Sequence, residues 1–207
     1  MSDTLFATAF SLWGAPTTWL EVLAFALALG MVACNIRVIH WGWPLAAISS
    51  LLYGLLFARY RLYGEASLQV FFAAMAAWGW WQWLRGTTAS GAALTVRHLS
   101  PSGRQTALLA AAVLWLLIGL LLDHFTDSDV PWLDAFPTAL SIVAQVLLGR
   151  KLLENWPFWV VVNLSSVGLF VYKALWLTAL LYLVFTFLSL VGWRAWQTLI
   201  ERAPKVP

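Results

Sequence analysis

Seven apolar runs limit what this chain can become: residues 19–36, 43–58, 66–84, 106–122, 133–149, 157–172 and 176–196. None has an Asp, Glu, Lys or Arg in its middle third. A hydrocarbon layer of roughly 30 Å takes about 20 residues of helix, with about 17 as a working minimum. The second and sixth runs are short and begin with Pro44 and Pro157, which the first turn of a helix tolerates. Backbone groups in lipid must be satisfied within the segment, and the alternation of a barrel is missing, so the runs read as helices. Hydrophobic residues make up 62% and charged residues 10% of the chain; soluble domains carry about 25% charge. A disordered chain and a disulfide scaffold are excluded, since Cys34 is alone. Twelve Lys and Arg give a net charge of only +3 and are scattered, so nucleic acid is not the partner. The expectation is an all-α integral membrane protein with seven transmembrane helices, its medium the lipid bilayer.

Met1–Trp13 holds Asp3 and no Lys or Arg, so the basic start of a signal peptide is missing. Seven spans put the termini on opposite sides. On the side of the C-terminus lie Arg37, Arg85, Arg97, Arg104, Arg150, Lys151, Arg194, Arg202 and Lys205. The other side has Arg59, Arg61 and Lys173. This bias predicts the N-terminus outside and the C-terminus in the cytoplasm.

An internal repeat organises the chain. Trp43-Pro44 recurs as Trp156-Pro157, 113 residues on. At the same spacing Gly79-Trp80 and Trp83 recur as Gly192-Trp193 and Trp196, Trp19-Leu20-Glu21 as Trp132-Leu133-Asp134, and Arg37 as Arg150. The reading is a segment 1–18 outside, a three-helix repeat over 19–84, a loop, linker helix and outer loop over 85–131, a second repeat over 132–197 and a tail over 198–207. Three spans plus a linker make both halves enter the membrane in the same direction. Two parallel repeats with a linker helix, three plus one plus three, are the plan of the SWEET sugar carriers.

Polar side chains within spans are costly and each needs a reason. Ser141, Ser165, Ser166, Thr186 and Ser189 are expected to bind helix to helix. For Gln69, Gln145 and Asn163 a ligand role is the stronger expectation, because a mid-span amide is expensive to bury unpaired. With no mid-span ionisable group, transport would be passive and uncoupled. Trp80 and Trp193 are expected to line a path, where indole faces would stack on a flat, polar, even cationic ligand. Trp83 and Trp196 stand equally as members of an interfacial aromatic belt. His40, His98 and His124 read as solvated loop residues without metal-ligand spacing, so no metal and no cofactor is expected. No nucleophile–base grouping or phosphate loop appears, which argues against an enzyme.

With these residues in view, the chain resembles the PnuC family of bacterial nicotinamide riboside transporters. The resemblance is carried by Arg61-Leu62-Tyr63, Leu68-Gln69-Val70-Phe71-Phe72 and Gly79-Trp80-Trp81-Gln82-Trp83 in the first half. In the second it rests on Leu140-Ser141-Ile142-Val143-Ala144, Arg150-Lys151 and Glu154-Asn155-Trp156, followed by Trp159 and Asn163. It implies a SWEET-like bundle in the bacterial inner membrane, assembled as a homo-oligomer, a trimer. It also implies that nicotinamide riboside equilibrates across the membrane and is trapped by cytoplasmic phosphorylation, feeding NAD synthesis. Gln69 and Asn163 would then bond the ligand, with Gln145 a third amide. Trp80 and Trp193, with Phe72 and Tyr182 deeper in the membrane, would be aromatic walls. Ser50 stands where the repeat places Asn163, so the halves differ at the site. Thiamine or another vitamin precursor is the alternative ligand; a membrane scaffold or receptor that transports nothing is the alternative of another class.

Overall fold

The computed structural model describes residues 5–12, 15–59, 63–87, 91–126, 130–172 and 176–202. Three basic residues of the orientation count, Arg61, Lys173 and Lys205, lie outside these residues. Seven helices appear among the described residues: α1 (Trp19–Ile36), α2 (Gly42–Arg59), α3 (Tyr63–Arg85), α4 (Pro101–Phe125), α5 (Pro131–Gly149), α6 (Asn155–Tyr172) and α7 (Trp176–Arg202). An antiparallel hairpin, β1 (Thr8–Leu12) with β2 (Ala15–Thr18), precedes α1 and was not foreseen in the segment 1–18. The linker helix is longer than its apolar run. It starts at Pro101 behind Ser100, whose hydroxyl accepts from the Gly103 N–H at 3.1 Å, an N-cap that precedes the apolar stretch. By length and composition, Pro101–Phe125, Pro131–Gly149 and Ala179–Arg202 suffice to cross a membrane.

The helices fall into two compact units, residues 1–85 and 86–207. In the first, α1 packs on α2 and α2 on α3. In the second, α4 packs on α5, α5 on α6 and α6 on α7. Small residues of α4, Ala107 and Ala111, let it approach Leu140, Val143 and Leu147 of α5, while Leu109, Leu117 and Leu121 stay exposed on its other face. Such a face suits lipid, where small residues bring helices together and large apolar ones meet the acyl chains.

The corners α1–α2 and α5–α6 share one backbone plan. The Ile39 N–H reaches the Cys34 carbonyl (2.8 Å) and the Val38 N–H that of Asn35 (3.2 Å); Leu152 to Leu147 (3.0 Å) and Lys151 to Leu148 (3.0 Å) repeat this 113 residues later. These are Schellman bonds, closing each helix through a left-handed residue. That residue is Val38 (φ 56°) in one corner and Lys151 (φ 55°) in the other, neither of them glycine. A buried amide stands on opposite sides of the two turns: Asn35 in α1, whose counterpart is Leu148, and Asn155 at the start of α6, whose counterpart is Gly42.

After each corner a tryptophan wedges into its unit. Trp43, 1% exposed, lies on Gly79 and meets Trp83 edge-on, ring centroids 5.6 Å apart at 81°. Trp156 lies on Gly192 and meets Trp196 at 5.5 Å and 89°. Trp83 and Trp196 are therefore core residues, 8% and 0% exposed, and not the belt that their place near helix ends suggested. The wedge decides this, since an indole can lie flat on a helix only where Cβ is missing. The indole N–H groups of Trp43 and Trp156 meet no acceptor among the described residues. A methyl group at position 79 or 192 would overlap the indole. Gly79→Ala and Gly192→Ala are expected to lower unfolding free energy in detergent by about 1–3 kcal/mol. The loss should shrink when Trp43 or Trp156 is also changed to Leu, and full additivity in that double-mutant cycle would contradict the wedge.

Candidate functional site

Five of the seven candidate ligand residues, Gln69, Phe72, Trp80, Tyr182 and Trp193, fall on matching stripes of α3 and α7, while Gln145 lies on α5 and Asn163 on α6. Gln69, Phe72 and Trp80 share one face of α3, since offsets of three and eleven residues return to the same side of a helix. On α7 the same register places Tyr182, Phe185 and Trp193. Gln69 and Tyr182, proposed separately from the sequence, are thus counterparts 113 residues apart. The named side chains are half-buried, except Asn163, which is 5% exposed. Gln69 on α3 and Gln145 on α5 bond to no described residue.

Asn163 projects from α6 onto α7, where its Nδ2 donates to the Ser189 hydroxyl at 3.2 Å. Ser189 in turn donates to the Phe185 carbonyl of its own helix at 2.8 Å. The Asn163 carbonyl oxygen accepts nothing from a described residue, so the side chain ties two helices through its amide nitrogen and leaves its oxygen unbonded. In the first unit Ser50 and Ala76 hold the corresponding places. The other hydroxyls mostly turn inward: Ser141 donates to Pro137, Thr186 to Tyr182 and Ser165 to Val162, each within its helix. Of the hydroxyls expected to join helices, Ser189 does so by accepting from Asn163, and Ser49 also reaches from α2 to the Ala24 carbonyl of α1 at 2.9 Å. A hydroxyl satisfied on the carbonyl three or four residues back needs no neighbouring helix.

Trp80 donates its Nε1–H to His40 Nδ1 at 3.2 Å, and its ring lies 6.3 Å from that of Trp41. His40 is therefore half-buried and engaged, not merely solvated, and His124 belongs to the last turn of α4. Trp193 borders a cavity of about 320 Å³ with Leu153, Glu154, Arg104 and Gln197. Glu154 is the centre of a clasp there. Its Oε1 takes Nη2 and Nε of Arg104 at 2.9 and 3.1 Å, and His98 Nδ1 lies 3.5 Å away. Its Oε2 takes the Leu99 N–H at 2.8 Å. Beside it Lys151 donates to the Leu94 carbonyl at 3.0 Å, and burial pulls its ammonium below the ordinary lysine range. Backbone bonds between Arg97 and both Lys151 and Leu153 complete the joint. The clasp was missed from sequence, although a lone acid beside Arg150 and Lys151 was a signal that it had a basic partner elsewhere. Nothing in the stripes is ionisable in the neutral range, so their chemistry is ring stacking and hydrogen bonding.

The arrangement is that of a helical membrane transporter. The solved structure of "the Vitamin B3 transporter PnuC" matches it with a TM-score of 0.72 at 24% identity, covering 89% of this chain and 83% of that one, and shows the fold. The family model "Nicotinamide mononucleotide transporter" matches residues 18–198, and the chain belongs to that family. Among relatives, the nicotinamide riboside transporter PnuC of Escherichia coli K12 is 29% identical over 213 residues, 88% of this chain and 87% of its own. The riboflavin/roseoflavin transporter RibM of Streptomyces davaonensis is 31% identical over 191 residues, 91% and 89% of the two chains. Family and long apolar helices together make this a multi-pass membrane protein.

Proposed function

We propose that this chain is a passive transporter of nicotinamide riboside in the bacterial inner membrane, with the nucleoside trapped inside by phosphorylation. The observation that carries the reading is the family match across nearly the whole chain, shared with relatives bearing that substrate in their names. The residues agree with it. Uncommitted amides at Gln69 and Gln145 and the open carbonyl of Asn163 suit a carboxamide and a ribose, and the rings of Phe72, Trp80, Tyr182 and Trp193 suit a flat cationic head. In this reading all seven helices span the bilayer as two parallel repeats around a linker, a plan supported by the corners and wedges that recur after 113 residues. The N-terminus lies outside and the C-terminus in the cytoplasm. A flavin is the second reading, favoured by the Streptomyces relative.

Counterflow in proteoliposomes tests substrate and energetics together. Nicotinamide riboside is expected to exchange faster than riboflavin or thiamine, with initial rates indifferent to a protonophore or to removal of sodium. Preference for a flavin would install the second reading, no counterflow at all would favour a scaffold, and sodium or proton dependence would end the passive one. Gln69→Ala and Asn163→Ala are each expected to weaken riboside binding by about 1–3 kcal/mol in titration calorimetry; wild-type affinity in both would remove the amides from the site. For orientation, a Thr87→Cys variant in a Cys34→Ser background should react with an impermeant maleimide only from the cytoplasmic side. Labelling from outside would invert the topology.

A further inference from the structure

We infer that His40 is the positioning residue that fixes Trp80 as a rigid wall of the substrate path, whereas the counterpart Trp193 is left free to turn. The inference rests on the reading of Trp80 as a ligand-stacking residue.

An indole N–H can only donate, so the 3.2 Å contact requires a bare lone pair on His40 Nδ1 and places the imidazole proton on Nε2. His40 is itself held by its corner. It follows directly on the Schellman turn at Val38 and Ile39, and its carbonyl accepts the Trp43 N–H at 3.2 Å. Trp41 packs at 5.3 Å from the imidazole and 6.3 Å from the Trp80 ring, tilted by 33° and 39°. The Trp80 indole thus has its polar edge bonded and a ring beside it, and the bond to a backbone-anchored partner restricts its rotamer.

The second unit supplies the contrast within one molecule. The corner there has the same backbone bonds, but Leu153 replaces His40 and Glu154 replaces Trp41. The Leu153 side chain offers no acceptor, and Glu154 is taken up by Arg104 and the Leu99 N–H. Trp193 consequently bonds to no described residue and borders the 320 Å³ cavity, which leaves its ring room to move. Two tryptophans at equivalent places differ by one hydrogen bond and one aromatic neighbour. A ring already held in its bound rotamer loses less freedom when a ligand stacks on it, which strengthens binding. A free one can swing aside for passage.

The test is a pair of substitutions in the full-length protein, read by nicotinamide riboside calorimetry and by thermal unfolding. His40→Leu copies the second unit and removes the acceptor; His40→Asn keeps an acceptor close to the Nδ1 position. His40→Leu is expected to bind about three- to tenfold more weakly, and His40→Asn to stay within about twofold of wild type, since it retains the bond. Wild-type affinity in His40→Leu would overturn the inference. So would equal losses in both variants, which would mark His40 as structural filling, particularly if both melt earlier. Failure of the wild-type protein to bind the riboside would instead overturn the substrate reading on which the comparison stands.

Discussion

An indole lying on a glycine locks α2 against α3 and α6 against α7, and the direction of the side chains beyond it depends on that contact. Lipid removes most of the hydrophobic drive between helices, leaving close packing to bring them together. Trp43 on Gly79 and Trp156 on Gly192 provide that packing. They also fix rotation. Once Gly79 must face Trp43, Trp80 is turned by about 100° from it, and the stripe of Gln69, Phe72 and Trp80 takes its direction from there. The same logic orients Tyr182, Phe185 and Trp193 behind Gly192. A bulky ring in the core therefore aims residues that themselves stay only half-buried.

Helix positions were legible because a bilayer demands long apolar runs, and the observed ends lie within three residues of those runs except at Pro101 and Arg202, where polar turns extend the helices by five and six. Family membership was legible in the ordered Trp, Gly, Gln and Asn motifs. Rotation was not, since spans apolar on every side carry little directional signal. Hence Trp83 and Trp196 read equally as belt or path neighbours when they are core, and Gln69 and Tyr182 were not recognised as counterparts. Hydrogen bonds across long sequence separations were equally hidden. Neither the Asn163–Ser189 tie nor the Glu154 clasp follows from any local spacing. The hairpin before α1 escaped because its short strands carry no strong alternation.

The two units share a scaffold and differ in the polar groups attached to it. Ser50 and Ala76 answer to Asn163 and Ser189, Gln69 to Tyr182, His40 to Leu153 and Trp41 to Glu154. Each difference changes a donor or an acceptor, while the Trp, Gly and corner backbone stay alike. The frame of wedge, glycine and corner is thus kept while the polar groups on it are exchanged.

The Glu154 clasp has a consequence for the order in which the chain is made. The first corner and its wedge draw only on residues up to Arg85, so every group they need exists once α3 has been synthesised. The second corner is braced by Leu94, Arg97, Leu99 and Arg104, all upstream of it. Those residues are synthesised two helices before Lys151 and Glu154, the groups they hold. The contacts of the first corner are thus complete within the first unit, whereas the second corner depends on a segment made before the two helices that precede it.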